Sequence, residues 1–412
     1  MSHQHEGLQS LLDNDLYKLT MQYAVLQHYK DAQVVYQFTN REKELHLNAE
    51  AVEWLEQKIH EMANLQLTKD EAKYIQSLPF FDDSYVKYLS EFRYQPSKNV
   101  TIQFDKDTED LQIQVRGAWH ETILYEVPLL ALISEAYFRY VDRDWNYDGQ
   151  VDQASGKARA LLEAGCAVSE FGTRRRRDFK THDMVFGAIY NTYQQYKSDC
   201  EKAKQQPKGV VSGTSNVYLA MKYGVTPIGT VAHEFFMAVS ALEGVQGANR
   251  KTLEKWTQTY HGALGIALTD TFTTDVFLRD FRGELAKTYA GVRQDSGDPM
   301  TFIPLMVNHY KSLGIDPSTK TIVFSDALTV EKAIHLLHSC EEYGIKASFG
   351  IGTYFTNDFH KASDPSVKSK PLNIVIKMHE CKGQRVIKLS DDALKHSADM
   401  ATVNKFKKEL GI

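Results

Sequence analysis

Four consecutive arginines, Arg174 to Arg177, follow a short apolar run and the turn Glu170-Phe171-Gly172-Thr173. Guanidinium groups offer planar arrays of donors that match phosphate and carboxylate oxygens. The whole chain carries a formal net charge of −5, so the cluster concentrates positive charge locally and is not part of a generally basic surface. It suits a small, multiply anionic substrate. Consecutive residues on a helix face different ways, so about two of the four can reach one ligand. A second cluster, Gly291-Val292-Arg293-Gln294-Asp295-Ser296-Gly297-Asp298-Pro299, places an arginine and two aspartates at the end of another apolar run. Arg293 can stack on a planar ring or bind a phosphate bidentately. Asp295 can accept from sugar hydroxyls or help hold a metal-bound pyrophosphate. A surface ion pair with an Asx turn is the ordinary alternative. Asp326, after Thr321-Ile322-Val323-Phe324, can grip a ribose diol or cap a helix starting near Leu328.

Two further segments carry polar chemistry. Gly350-Ile351-Gly352-Thr353 lets backbone N–H groups approach phosphate oxygens, with the Thr353 hydroxyl as an added donor, although such turns also serve structure alone. His233 closes the run Gly229-Thr230-Val231-Ala232 beside Glu234. An imidazole with one nitrogen held by a partner is a better nucleophile or base at the other. A lone histidine is more often a satisfied core residue, and Glu234 need not be its partner, because neighbours on a strand face opposite ways.

These residues need a scaffold that brings distant turns together. From residue 148 onward, short apolar or β-branched runs recur, each followed by a small or polar cluster and then a helical segment. The runs end at Ser169-Glu170, Ser212-Gly213-Thr214-Ser215, Gly229-Thr230, Thr269-Asp270-Thr271, Gln294-Asp295-Ser296-Gly297, Ser325-Asp326 and Gly350-Ile351-Gly352-Thr353. Such alternation predicts parallel βαβ units. An α/β barrel gathers every strand-end loop at one mouth, whereas an open doubly wound sheet gathers only a few. The predicted fold is therefore an irregular parallel α/β barrel over 148–371, preceded by an N-terminal α+β domain over 1–147, with 372–412 free to return to the first domain. In that domain Leu16, Leu19, Tyr23 and Leu26 have helical spacing, and Val34, Tyr36 and Phe38 alternate as in a strand. Thr68 with Glu71 is a capping box. Val100-Ile102-Phe104 and Leu111-Ile113-Val115 predict an antiparallel hairpin, and Pro128 predicts a bend in a helix over 122–140.

Composition excludes several classes. No apolar run approaches the ~20 residues needed to span a bilayer. The opening Met1-Ser-His-Gln-His-Glu is polar and lacks a secretory apolar stretch. Cys166, Cys200, Cys340 and Cys381 are scattered, without a CxxC pair, as for free thiols in a reducing cytoplasm. His335 and His338 share a helical face without further ligands nearby, so no structural zinc is expected. A nucleic-acid binder using the arginine run is disfavoured by the net negative charge and the absence of interleaved aromatics elsewhere. A Schiff-base aldolase would need a strand-end lysine, and Lys222 and Lys346 lie in polar or strand-start contexts.

Read in order, Asp13-Asn14-Asp15-Leu16-Tyr17-Lys18-Leu19-Thr20-Met21, Glu170-Phe171-Gly172-Thr173-Arg174-Arg175-Arg176, Gly213-Thr214-Ser215-Asn216, Gly229 to Glu234, Thr269-Asp270-Thr271, Arg293 to Pro299 and Phe349 to Thr353 resemble the nicotinate phosphoribosyltransferase family of the bacterial type. The resemblance spans nearly the whole chain. It implies the type II phosphoribosyltransferase fold and a homodimer. It also implies condensation of nicotinate with phosphoribosyl pyrophosphate to nicotinate mononucleotide and pyrophosphate, coupled to ATP hydrolysis, as the first step of NAD salvage from nicotinate. Mg²⁺ is implied as the partner of the pyrophosphate, with no direct protein ligand, and no nucleic acid or membrane partner is implied. By the same resemblance His233 is the transiently phosphorylated residue. The pyridine ring lies between Phe171 and a Tyr17 contributed across the subunit interface. Arg174, Arg293, Asp295, Asp326, Gly350, Gly352 and Thr353 contact substrate. Ser215 stands where amide-using relatives carry an aspartate, so its hydroxyl is expected to donate to the nicotinate carboxylate.

Overall fold

A computed structural model describes residues 6–42, 44–392 and 399–412. Most of the opening polar hexapeptide, Met1 to His5, therefore lies outside the described residues. The alternating run around Val34 forms β1 (Gln33–Asn40). The predicted hairpin forms β2 (Val100–Asp105) and β3 (Asp110–Ala118), paired from Val100↔Val115 to Asp105↔Asp110. Thr68 and Glu71 make the reciprocal capping box that opens helix Lys69–Ser77. Pro128 does not bend a helix: a 3₁₀ turn, Ile123–Tyr125, precedes helix Glu126–Tyr140, which places Pro128 in the first turn, where no N–H is required.

The second region supplies the parallel strands β4 (Ala167–Glu170), β5 (Val210–Thr214), β6 (Ile266–Leu268), β7 (Gly291–Gln294), β8 (Thr321–Phe324) and β9 (Lys346–Ile351). They form one six-stranded sheet in the order β5-β4-β9-β8-β7-β6. Helices such as Phe179–Lys202, Pro299–Ser312 and Val330–Tyr343 connect them. Side chains of both edge strands, Ser212 and Ile266, line the same cavity as Ser169, Val323 and Ser348 of the inner strands, so the sheet curls into an irregular barrel.

The seventh expected strand, before His233, does not form. Only a single parallel bridge, Thr214↔Pro227, marks its place, and 228–232 run as irregular chain into helix His233–Glu243. Gly229 explains part of this: a Cβ there would lie 2.7 Å from the backbone nitrogen of Tyr17, so α1 (Leu16–His28) presses on the segment where a strand neighbour would sit.

The chain ends by returning. After the short pair β10 (Phe359–His360) and β11 (Lys368–Ser369), β12 (Ile374–Cys381) pairs antiparallel with β1, and β13 (Gln384–Arg385) extends that sheet to the order β13-β12-β1-β3-β2. This sheet forms one wall of the cavity through Arg41, Asn373, Val375 and Lys377. Among the described residues no helix is long and apolar enough to cross a membrane. His335 and His338 are exposed on helix Val330–Tyr343, and the four cysteines are unpaired.

Candidate active site

The strand-end loops, the start of α1 and the N-terminal sheet enclose a cavity of about 850 Å³. Tyr17, Phe171, Arg174, His233, Arg293, Asp295, Asp326, Gly350, Gly352 and Thr353 all line it, drawn from segments far apart in the chain.

The arginine run divides in two. Arg174 and Arg175 face the cavity, while Arg176 and Arg177 are fully buried behind it. Arg176 makes a bidentate pair with Asp13, at 2.6 and 2.7 Å. Burial alone would raise the Asp13 carboxyl, but the Arg176 guanidinium outweighs it and holds the group below its ordinary range. Arg177 is stacked 3.7 Å from the Phe138 ring and 4.1 Å from the Phe359 ring, and donates to Asn357 Oδ1 and Ser369 Oγ, each at 3.0 Å. These two arginines fasten the loop that presents the other two. The turn before them is fixed by Glu170, which accepts from Thr214 Oγ1 at 2.6 Å and from the backbone of Gly172. Gly350 gives Phe171 room: a Cβ at Gly350 would come within 3.3 Å of the Phe171 ring.

Tyr17 lines the cavity of its own chain. The start of α1 is bound to the barrel by Leu16 N donating to Ser215 O at 2.8 Å and by Val217 N donating to Asn14 O at 2.9 Å. Lys18, buried, joins α1 to Glu126 and to Glu234. The phenol oxygen of Tyr17 is buried and has no hydrogen-bond partner among the described residues.

Ser215 does not line the cavity. It is fully buried and its hydroxyl donates to Asp15 Oδ1 at 2.8 Å, an oxygen that also accepts from Thr173 Oγ1 at 2.7 Å. The hydroxyl thus ties the loop after β5 to the residue that precedes α1. Asp326 does line the cavity and is not a helix cap; Thr329 caps helix Val330–Tyr343 by accepting from Lys332 N.

His233 occupies the first turn of its helix, and Glu234 turns away from it to accept from Lys18, Tyr36 Oη and Trp119 Nε1. The imidazole Nδ1 lies 3.0 Å from Thr271 Oγ1, and Nε2 lies 3.0 Å from Asp295 Oδ2 and 2.8 Å from Lys388 Nζ. Burial and Lys388 lower the imidazole pKa despite Asp270 and Asp295, so the ring is neutral at pH 7. Burial alone would raise the Asp295 carboxyl, but Arg293, Lys388 and His233 together hold it well below its ordinary range. Arg293 donates to Asp295 Oδ1 at 2.9 Å and to Ser325 Oγ at 3.0 Å. His233, Asp270 and Asp295 have donor atoms close enough to suit a metal ion. The Lys388 ammonium, 3.1 Å from Asp270 Oδ2 and 3.2 Å from Asp295 Oδ2, already fills that position.

Sequence reading missed Arg41, Lys377 and Lys388. Lys377 projects from β12, opposite Gln37 of β1, into the cavity. Burial, Arg41 and Lys388 push its ammonium down to about 8. None of these residues sits in a strand–turn–helix pattern, so only their sequence remoteness from the barrel loops, resolved by folding, hid them.

Known proteins fit this geometry over the full length. Residues 166–412 match the nicotinate phosphoribosyltransferase (NAPRTase) family, and residues 12–134 match the NAPRTase N-terminal domain. The chain belongs to the nicotinate phosphoribosyltransferase family. It is 46% identical over 407 residues to a Schizosaccharomyces pombe protein named probable nicotinate phosphoribosyltransferase, covering 97% of each chain. It is 44% identical over 415 residues to the Saccharomyces cerevisiae nicotinate phosphoribosyltransferase, covering 98% of this chain and 95% of that one. A Saccharomyces cerevisiae crystal structure of the family superposes with a TM-score of 0.93 at 43% identity, covering 99% of this chain and 100% of that one. The chain is thus an enzyme of this family, with the mixed α/β fold of its relatives.

Proposed function

We propose that this cavity joins nicotinate to phosphoribosyl pyrophosphate, giving nicotinate mononucleotide and pyrophosphate in the first step of NAD salvage from nicotinate, and that ATP hydrolysis through a phosphorylated His233 is coupled to it. The observation that carries this reading is the convergence of Tyr17, Phe171, Arg174, His233, Arg293, Asp295, Asp326 and the Gly350–Thr353 turn on one cavity.

Transfer of a ribosyl group needs little proton movement. The pyridine nitrogen forms a bond to the anomeric carbon as the bond to the pyrophosphate oxygen breaks, and the pyrophosphate leaves with the electron pair. Rate then depends on alignment and on stabilising the departing anion. Tyr17 and Phe171 suit the two faces of a planar pyridine. Arg174, and the Arg293 N–H groups not engaged by Asp295 and Ser325, suit its carboxylate. Gly350, Gly352 and Thr353 suit the 5-phosphate, where a glycine lets backbone N–H groups approach. Asp326 suits a ribose hydroxyl. Mg²⁺ belongs to the polyphosphate substrates, whose charge it screens, because the His233–Asp270–Asp295 position is taken by Lys388. Ser215, turned to Asp15, has no part in reading the carboxylate in this proposal.

A neutral, half-buried imidazole gripped at Nδ1 suits nucleophilic attack at Nε2 on the terminal phosphorus of ATP. Phosphorylation promotes transfer only if the two forms of the enzyme differ in affinity for donor or product. Assembly as a homodimer and residence in the cytoplasm, where the free thiols stay reduced, complete the proposal. The test is a product assay with phosphoribosyl pyrophosphate and either nicotinate or nicotinamide, with and without ATP. Nicotinate mononucleotide formed preferentially, with ADP released and yield raised by ATP, is expected; equal use of the amide, or no effect of ATP, overturns the corresponding part.

A further inference from the structure

Lys388 reaches the site from the C-terminal strap, 155 residues away from His233 in sequence. The strap is anchored over the barrel loops by Leu389 N donating to Thr271 O at 2.8 Å, by the hydroxyls of Ser390 and Ser296 at 2.8 Å, and by Thr274 donating to Asp391 through both N and Oγ1. It follows β12, whose Lys377 lines the same cavity.

An ammonium has three N–H donors and no acceptor. Around Lys388 Nζ stand His233 Nε2 at 2.8 Å, Asp270 Oδ2 at 3.1 Å and Asp295 Oδ2 at 3.2 Å, each able to accept one of those N–H groups. For Nε2 to accept, its lone pair must be free, so the imidazole proton resides on Nδ1 and is donated to Thr271 Oγ1. In that tautomer the 3.0 Å approach of Nε2 to Asp295 is bridged by the lysine and is not itself a hydrogen bond. Without the lysine the preference reverses: a carboxylate at 3.0 Å accepts only from a protonated Nε2, and a protonated nitrogen cannot attack phosphorus.

We propose that Lys388 is the positioning residue for His233, selecting the tautomer with its lone pair on Nε2, covering that lone pair in the resting enzyme, and passing its N–H to the incoming phosphoryl oxygen as Nε2 attacks. This rests on the phosphohistidine reading above. In the step, the Nε2–P bond forms and the bond between phosphorus and the bridging oxygen of the nucleoside triphosphate breaks. The electron pair leaves with the nucleoside diphosphate, while Nδ1 keeps its proton on Thr271. Hydrolysis of the phosphorylated ring by water returns the lone pair to Nε2 and the lysine to its place.

The test joins a spectroscopic and a chemical readout on full-length enzyme. The tautomer of His233 is read by ¹⁵N NMR of histidine-labelled protein, with His233→Asn giving the assignment. Phosphoryl transfer is read from Mg-ATP labelled in the γ position. Lys388→Met should move the proton of His233 to Nε2 and slow labelling by about 10²- to 10³-fold, the cost of removing one preorganised donor. Lys388→Arg, which keeps charge and donors, should retain the Nδ1–H tautomer and recover part of the labelling rate; it also serves if the methionine variant does not fold. An unchanged tautomer in Lys388→Met, or undiminished labelling, overturns the proposal. A wild-type enzyme that takes no label while Lys388→Met still shifts the tautomer overturns the phosphohistidine reading and leaves Lys388 as the residue that sets the tautomer.

Discussion

At the scale of single residues, the division of labour within the arginine run is the instructive case. The sequence pattern places four guanidinium groups together, and helical geometry allows about two to face one side; Arg174 and Arg175 are the two that line the cavity. What the pattern does not carry is where the others go, because Asp13, Phe138 and Phe359, their partners, are recruited from distant segments. Arg176→Met leaves Asp13 buried without its cation, and unfolding in urea should show a loss of about 3–5 kcal/mol. His233 was legible as chemistry but not as geometry: it begins a helix and is held by Thr271 and Lys388, not by its neighbour. His233→Ala should abolish ATP hydrolysis while leaving slow, uncoupled transfer; an ADP-release assay in which ATP still stimulates the variant fully would contradict the assignment. Lys377 gives a pH signature. Its ammonium, at about 8, loses its proton as pH rises through that value, so the cavity loses a positive charge. The KM for phosphoribosyl pyrophosphate should therefore climb several-fold across that range, and Lys377→Arg should flatten the climb.

At the scale of elements, period and capping were readable because they are local. The β2–β3 hairpin, the Thr68–Glu71 capping box and the strands ending at Glu170, Thr214, Gln294, Phe324 and Ile351 each announce themselves within about ten residues. The segment before His233 has the same apolar signal yet stays irregular, since α1 occupies the space beside Gly229. No local pattern encodes that close approach. It makes a sharp prediction: Gly229→Ala, whose Cβ would lie 2.7 Å from Tyr17 N, must displace the start of α1 and with it Tyr17. The expected result is a rise in the KM for nicotinate with the fold retained by circular dichroism. An unchanged KM would mean that Tyr17 does not touch the pyridine.

At the scale of the whole molecule, the barrel and the N-terminal sheet are halves of one container. The barrel supplies the loops. The sheet closes over them through Arg41, Lys377 and the returning β12, and the strap beyond it brings Lys388 to His233. The sequence made the barrel loops legible as a set, because their order and chemistry recur along the chain; it left the closing wall obscure, because β12 declares its pairing with β1 only through long-range register. The most direct test is a crystal structure of the enzyme with nicotinate mononucleotide and pyrophosphate. The pyridine should lie between Tyr17 and Phe171 of one chain, the nucleotide phosphate against Gly350–Thr353, and the pyrophosphate beside Arg293 and Asp295. A nucleotide seated elsewhere on the molecule, or a pyridine stacked on the Tyr17 of a second subunit, would contradict the account.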